Sequence, residues 1–93
     1  MHQNQFLQLT AIALETVAEA GDRGIPSGYL YVGMQSVVDL DTYQRIVAAL
    51  QRAALVTLRA NVLTATDEGK RFALKLDGAR AEAAEEKAVR SAK

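Results

Sequence analysis

Tyr43-Gln-Arg-Ile-Val-Ala-Ala-Leu-Gln-Arg-Ala-Ala-Leu-Val-Thr-Leu-Arg-Ala-Asn-Val-Leu-Thr-Ala-Thr-Asp-Glu-Gly69 is the stretch whose reading decides the fold. Its opening has helical spacing: Tyr43, Ile46, Val47, Leu50 and Ala54 share one face. Asp41, Gln44, Arg45, Ala48, Gln51 and Arg52 share the opposite one. Two short runs follow, Leu55-Val-Thr-Leu58 and Val62-Leu-Thr-Ala-Thr66, rich in β-branched and aliphatic side chains and read as strands. Arg59, Ala60 and Asn61 join them. Asn tolerates positive φ, so a tight hairpin centred on Ala60-Asn61 is expected. Thr66 then reads as the cap of a further helix, with Asp67 and Glu68 in its first turn facing the positive end of the dipole.

Upstream, residues 4–20 read as a first helix. Phe6, Leu9, Ala13, Leu14, Val17 and Ala20 form its apolar stripe, Ile12 widens it, and Gly21 stands where a helix end needs a left-handed residue. Asp22-Arg23-Gly24 reads as a turn. Pro26 forces Ile25 into extended geometry, and a short strand here would add an edge to the hairpin. Ser27 reads as the cap of a second helix over about 28–36, with Tyr29, Leu30, Val32 and Met34 apolar on more than one side. The third helix begins at Asp39 or Asp41. With Asp39 as cap, Val38 and Tyr43 form a hydrophobic staple; with Asp41, Gln44 sits at the capping-box position. Phe72 and Leu76, four apart, suit docking of the fourth helix. Beyond Asp77-Gly78 the chain turns to Ala, Glu, Lys and Arg, so 77–93 is set apart from a domain of 1–76. It is a solvated helical extension, a dimer contact or a frayed tail.

Ninety-three residues leave room for one domain with a small core, which makes oligomerisation a reasonable expectation. The 49% apolar and 24% charged content is that of a globular chain and argues against wholesale disorder. With no cysteine there is no disulfide framework or thiolate metal site. Without a signal-like N-terminus or a long apolar run, a cytoplasmic protein with no membrane segment is expected. Net charge is zero but unevenly spread. Glu15, Glu19, Asp22 and Asp39 against Arg23 leave 1–39 at −3, whereas Arg45, Arg52, Arg59, Lys70, Arg71 and Lys75 against Asp41, Asp67 and Glu68 leave 40–76 at +3. That polarity can orient a molecule on a phosphate backbone; solvated charge with chance clustering is the plainer alternative.

Val47-Ala-Ala-Leu-Gln-Arg-Ala-Ala-Leu-Val56, the hairpin, and Leu63-Thr-Ala-Thr-Asp-Glu-Gly-Lys-Arg-Phe72 together resemble the helix-to-strand junction and last-helix lead-in of bacterial winged helix-turn-helix DNA-binding domains, the broad group of MarR-like and PadR-like regulators. The resemblance covers 5–76. It implies an α+β, mostly α fold: a three-helix helix-turn-helix core, a short β-hairpin wing and a C-terminal helix. Two positions depart from the family pattern. Ala54 stands where relatives commonly carry glycine before the first wing strand, and the wing is short, with Arg59 its only basic residue.

By that resemblance helix 41–53 enters the major groove of duplex DNA. Gln44, Arg45, Gln51 and Arg52 suit base edges, since Arg pairs with guanine and Gln with adenine through two bonds each, while Ala48 allows close approach. Arg59 and Lys70 or Arg71 suit phosphates. An ordinary wet helix face is the other reading, and Asp41 counts against DNA. The implied protein is a homodimeric transcriptional regulator, with the dimer contact in the first helix, the last helix or both. The alternative is a protein-interaction module or structural subunit without DNA, for which Tyr31, Val32 and Met34 form a candidate partner patch. Tyr29, Tyr31 and Tyr43 read as a base-stacking platform or, more plainly, as core and rim residues. His2 stands alone, so no metal is expected. No cofactor, small-molecule substrate or catalytic constellation is expected either, because no glycine-rich phosphate loop or nucleophile–base pair occurs.

Overall fold

The computed structural model describes residues 3–76 and residue 78. Within them the chain is a small, mostly helical α+β fold. The elements run α1 (Gln3–Glu19), a 3-10 turn (Gly21–Arg23), β1 (Ile25–Pro26), α2 (Ser27–Met34), α3 (Leu40–Arg52), β2 (Val56–Arg59) and β3 (Val62–Ala65). Residues 67–76 form the last helix, α4. The strands make one antiparallel sheet in the order β1-β3-β2. The expectations placed on 79–93 lie outside the described residues.

The helices face inward where their apolar spacing directs them. Ala13, Leu14 and Val17 of α1, Leu30 and Met34 of α2, and Tyr43, Ile46, Val47 and Leu50 of α3 share one core with Val56, Leu63, Ala65 and Ala73. Phe6 and Leu9 pack at its margin. Ile12 does not widen the α1 stripe: it is 43% exposed. It lies one residue, and so about 100° of helix, from Ala13 at the stripe's centre.

α3 starts at Asp39, whose carboxylate accepts the Thr42 N–H at 2.8 Å. That leaves Val38 and Tyr43 in the staple positions, and both are buried. Ser27 is not a cap. Pro26 holds that position with extended geometry, and Ser27 is the first residue of α2. The Tyr43 hydroxyl donates to the Ser27 carbonyl oxygen at 2.9 Å. With that proton committed, the phenol oxygen accepts from the Ser27 hydroxyl at 2.8 Å. The Ser27 N–H donates to the Asn61 carbonyl oxygen at 2.7 Å, so the start of α2 is fixed to both α3 and the hairpin turn.

α3 ends in a Schellman motif. The Leu55 N–H donates to the Leu50 carbonyl oxygen and the Ala54 N–H to that of Gln51, both at 3.0 Å. Ala54 takes the left-handed position at φ +59°. It is therefore an exposed residue beyond the helix, not a member of the core face. β2 and β3 then pair from Val56↔Ala65 to Arg59↔Val62. The two loop residues, Ala60 and Asn61, have φ of +49° and +63°. Both signs belong to a type I′ turn, whose twist matches that of the strands. β1 adds Ile25 opposite Leu63 and Pro26 opposite Val62. Proline fits because the pair sits at an edge.

α4 is capped by Thr66, whose hydroxyl oxygen accepts the Gly69 N–H at 3.0 Å and donates to the Ala54 carbonyl oxygen at 2.7 Å. It docks through Gly69, Ala73 and Leu76, spaced four and three apart, not through Phe72, which is 47% exposed. The reason is steric: a Cβ at Gly69 would collide with the Leu55 carbonyl. Only glycine lets this turn lie on the chain leaving α3, and that contact fixes the rotation of α4.

Three substitutions test these backbone sites. Gly69→Ala is expected to destabilise by about 2 kcal/mol or more, as forced overpacking does. Gly33→Ala, where an added Cβ meets open space in the last turn of α2, is expected to stabilise by up to roughly 0.5–1 kcal/mol. Urea midpoints of the two variants must move in opposite directions. Ala54→Gly is expected to stabilise by about 1 kcal/mol, because it removes the Cβ penalty of a left-handed residue; an unchanged or lower midpoint counts against the described helix exit.

Candidate functional site

The outward side of α3 carries two rows of side chains. Asp41, Arg45, Ala48 and Arg52 lie at four-three-four spacing, and the exposed Leu40, Gln44 and Gln51 stand beside them, with the core residue Val47 behind. Gln44, Arg45, Gln51 and Arg52 are all exposed. The two glutamines face a groove that the arginines do not line. That groove, of about 370 Å³, runs between α2, α3 and β2 and is lined by Ser27, Gly28, Tyr31, Leu40, Tyr43, Gln44, Val47, Gln51 and Leu58. It contains no charged side chain. Burial pushes the Tyr43 phenol up, partly offset by the Ser27 hydroxyl, so it remains a neutral structural group at physiological pH.

On the outer row, the Arg45 guanidinium lies 3.2 Å from the Asp41 carboxylate, with both side chains 73% exposed. An exposed pair of this kind contributes little to stability. Arg59, the residue before the hairpin turn, is exposed and opposite Val62. The α3 rows and the hairpin are thus joined through a rigid frame: α3 by its Schellman exit into β2, and the turn by Asn61 to Ser27 and on to Tyr43.

The other expected contacts are placed elsewhere. Lys70 lies against α1, not α3. Its ammonium is 2.8 Å from the Asp22 carboxylate. It lines a second groove, of about 380 Å³, with Glu15, Ala18, Glu19, Ala73 and Leu74. The hydrogen bond and charge of Asp22 hold the Lys70 ammonium above its usual pKa, and Lys70 in turn holds Asp22 below the carboxylate range. Lys70 is therefore committed to an acidic neighbourhood. Arg71 is exposed and lines a shallow hollow with Leu55, Glu68, Phe72 and Lys75.

The Tyr31–Val32–Met34 patch is not one surface. Met34 is a core residue at 5% exposure, and Val32 is 60% exposed. Tyr31 is half-buried, its ring 5.2 Å from that of Tyr43 and tilted by 54°. A helix turns about 100° per residue, so side chains at 31, 32 and 34 diverge. The apolar surface that is exposed on this side is Tyr29, Val32, Val37 and Leu40. Tyr29 and Val32, three apart, were readable as a face once Leu30 and Met34 were assigned to the core. The three tyrosines do not form a platform, because Tyr29 is 75% exposed while Tyr43 is buried.

Among the described residues no group of three or more His, Asp or Glu side chains could hold a metal ion, and no helix is long and apolar enough to cross a membrane. Comparison with family models, with curated proteins and with solved structures finds no match to this chain.

The cap of α3 has a pH signature. The Thr42 N–H and hydroxyl hold the Asp39 carboxyl below its ordinary value of 3.8, as Lys70 does for Asp22. A carboxylate depressed in the folded state contributes stability above its unfolded pKa and loses it as pH falls through the folded value. The urea midpoint is therefore expected to drop below about pH 4. In Asp39→Asn, which caps without titrating, the midpoint is expected to stay near wild type at pH 7 and to fall less steeply in acid. An identical acid limb contradicts the described cap.

Proposed function

We propose that this chain is a winged-helix protein that binds duplex DNA, with α3 in the major groove and the β2–β3 hairpin as a short wing, and that it acts as a homodimeric transcriptional regulator. One observation carries the reading. Gln44, Arg45, Gln51 and Arg52 stand exposed together on the single helix that feeds directly into the hairpin, and Arg59 is exposed at the end of that hairpin's first strand. Base-pairing side chains on a rigid helix beside a cationic hairpin suit groove reading with flanking phosphate contact. Within this reading Lys70 is withdrawn from the phosphate contacts by Asp22, and Arg52, at the end of α3 farthest from the base-reading first turns, joins Arg59 in that role instead of reading a base edge.

The dimer contact falls to the far side, where α1 and α4 meet. Leu74 is 72% exposed there, and Glu15, Glu19 and Lys70 supply both signs of charge. A two-fold interface needs a patch complementary to itself. Placing it there leaves α3 free on each protomer.

A second reading, docking of another protein, is favoured by the uncharged groove and the exposed Tyr29, Val32, Val37, Leu40 and Leu58 around α2 and α3.

Fluorescence anisotropy with labelled mixed-sequence duplexes between about 50 and 200 mM salt separates the two readings. Binding is expected to weaken linearly on a log–log scale. Arg52→Ala and Arg59→Ala are each expected to lower affinity for all sequences and to reduce the slope by about one. No binding at the lowest salt, or a flat response, overturns the DNA reading in favour of the docking one.

A further inference from the structure

Asp41 is the feature that fits the proposed binding mode least well, and it carries the most information about what is bound. It sits in the first turn of α3, 73% exposed, on the same row as Arg45 and Arg52. In the docking proposed above, the beginning of the reading helix is the part that approaches base edges. A carboxylate there repels phosphates, so it must face a hydrogen-bond donor. The major-groove edges of base pairs offer only two: the N4 amino group of cytosine and the N6 amino group of adenine.

Arg45 decides between them. Its guanidinium lies 3.2 Å from the Asp41 carboxylate, so whatever meets one meets the other. Arginine finds its two-bond partner in the O6 and N7 acceptors of guanine. Those acceptors and the cytosine amino group lie side by side across a single G·C pair. We infer that Asp41 and Arg45 act together to read one G·C base pair, Arg45 donating to guanine O6 and N7 and Asp41 accepting from the cytosine amino group. The inference rests on the DNA reading and adds a base identity to it. Asp41 here is a specificity residue that lowers affinity for everything except its match.

A purely structural Asp41 would behave differently. A first-turn carboxylate favours the helix dipole, and Asp ahead of Arg by four residues supports the helix. That role predicts a loss of thermal stability on removal, and binding to all sequences that rises together.

Selection from randomised duplexes with the full chain distinguishes the two, using wild type, Asp41→Ala and Asp41→Asn alongside their melting curves. Wild type is expected to show one G·C position preferred over A·T by roughly tenfold to hundredfold. In Asp41→Ala that single preference is expected to shrink to a few-fold while the other positions hold. In Asp41→Asn, whose amide both donates and accepts, adenine is expected to be tolerated where cytosine was required. Asp41→Asn also preserves side-chain size if the alanine variant folds poorly. The inference is overturned if wild type selects no G·C position, or if Asp41→Ala binds every sequence more tightly with its G·C preference intact. Duplex binding without the Asp41 effect sinks this inference alone; no duplex binding by wild type sinks the DNA reading beneath it.

Discussion

The structure depends on the backbone of Leu55. Its N–H closes the Schellman motif that ends α3, donating to Leu50. Its carbonyl oxygen accepts the Thr66 N–H at 3.0 Å, which ties the end of β3 to the start of β2. The same carbonyl is the surface on which Gly69 packs. The backbone of one residue therefore sets where α3 stops, where the hairpin closes and how α4 approaches. Backbone groups need partners, and here they come from the end of α3 and from the residue after β3. Ala54 accepts a left-handed conformation, and Gly69 gives up a side chain, so that this junction can form.

The hairpin and its surroundings show why most of the fold was readable. The β-branched and aliphatic run at Val62–Ala65, Asn at the turn and Thr66 followed by two acids are local signals, and local signals act through nearest neighbours in the chain. The choice of Asp39 over Asp41 as cap was not local: it is settled by burying Val38 and Tyr43 together. Ser27 was misread for the same reason. A serine before a helical run has cap chemistry, but its hydroxyl is drawn to Tyr43, sixteen residues away, and Pro26 takes the cap position. Phe72 has the apolar side chain expected of a docking residue, but the packing of α4 is decided by the absence of a side chain at Gly69.

The candidate site divides in the same way. That Gln44, Arg45, Gln51 and Arg52 share the outer side of α3 follows from helical periodicity. That the glutamines border an uncharged groove while Arg45 pairs with Asp41 outside it required the positions of α2 and β2. Lys70 was counted with the basic half of the chain because net charge by segment ignores the fold; in space it lies among Asp22, Glu15 and Glu19. Met34 was counted with Tyr31 by adjacency, although a helix separates near neighbours onto different sides. The working surface that emerges is narrower than composition implied: a mixed-charge helix row, a neutral groove and a single cationic residue on the hairpin.

The central claim is that the outward side of α3 is what this protein presents to duplex DNA. Backbone amide shifts of the isotope-labelled chain, followed during titration with duplex DNA at low salt, test it most directly. The account predicts that the perturbed amides cluster at Asp41, Gln44, Arg45, Ala48 and Arg52 and around the Ala60-Asn61 turn, while those of α1 and α4 stay in place. Shifts confined to α1 and α4, or a spectrum unchanged at saturating DNA, would contradict it.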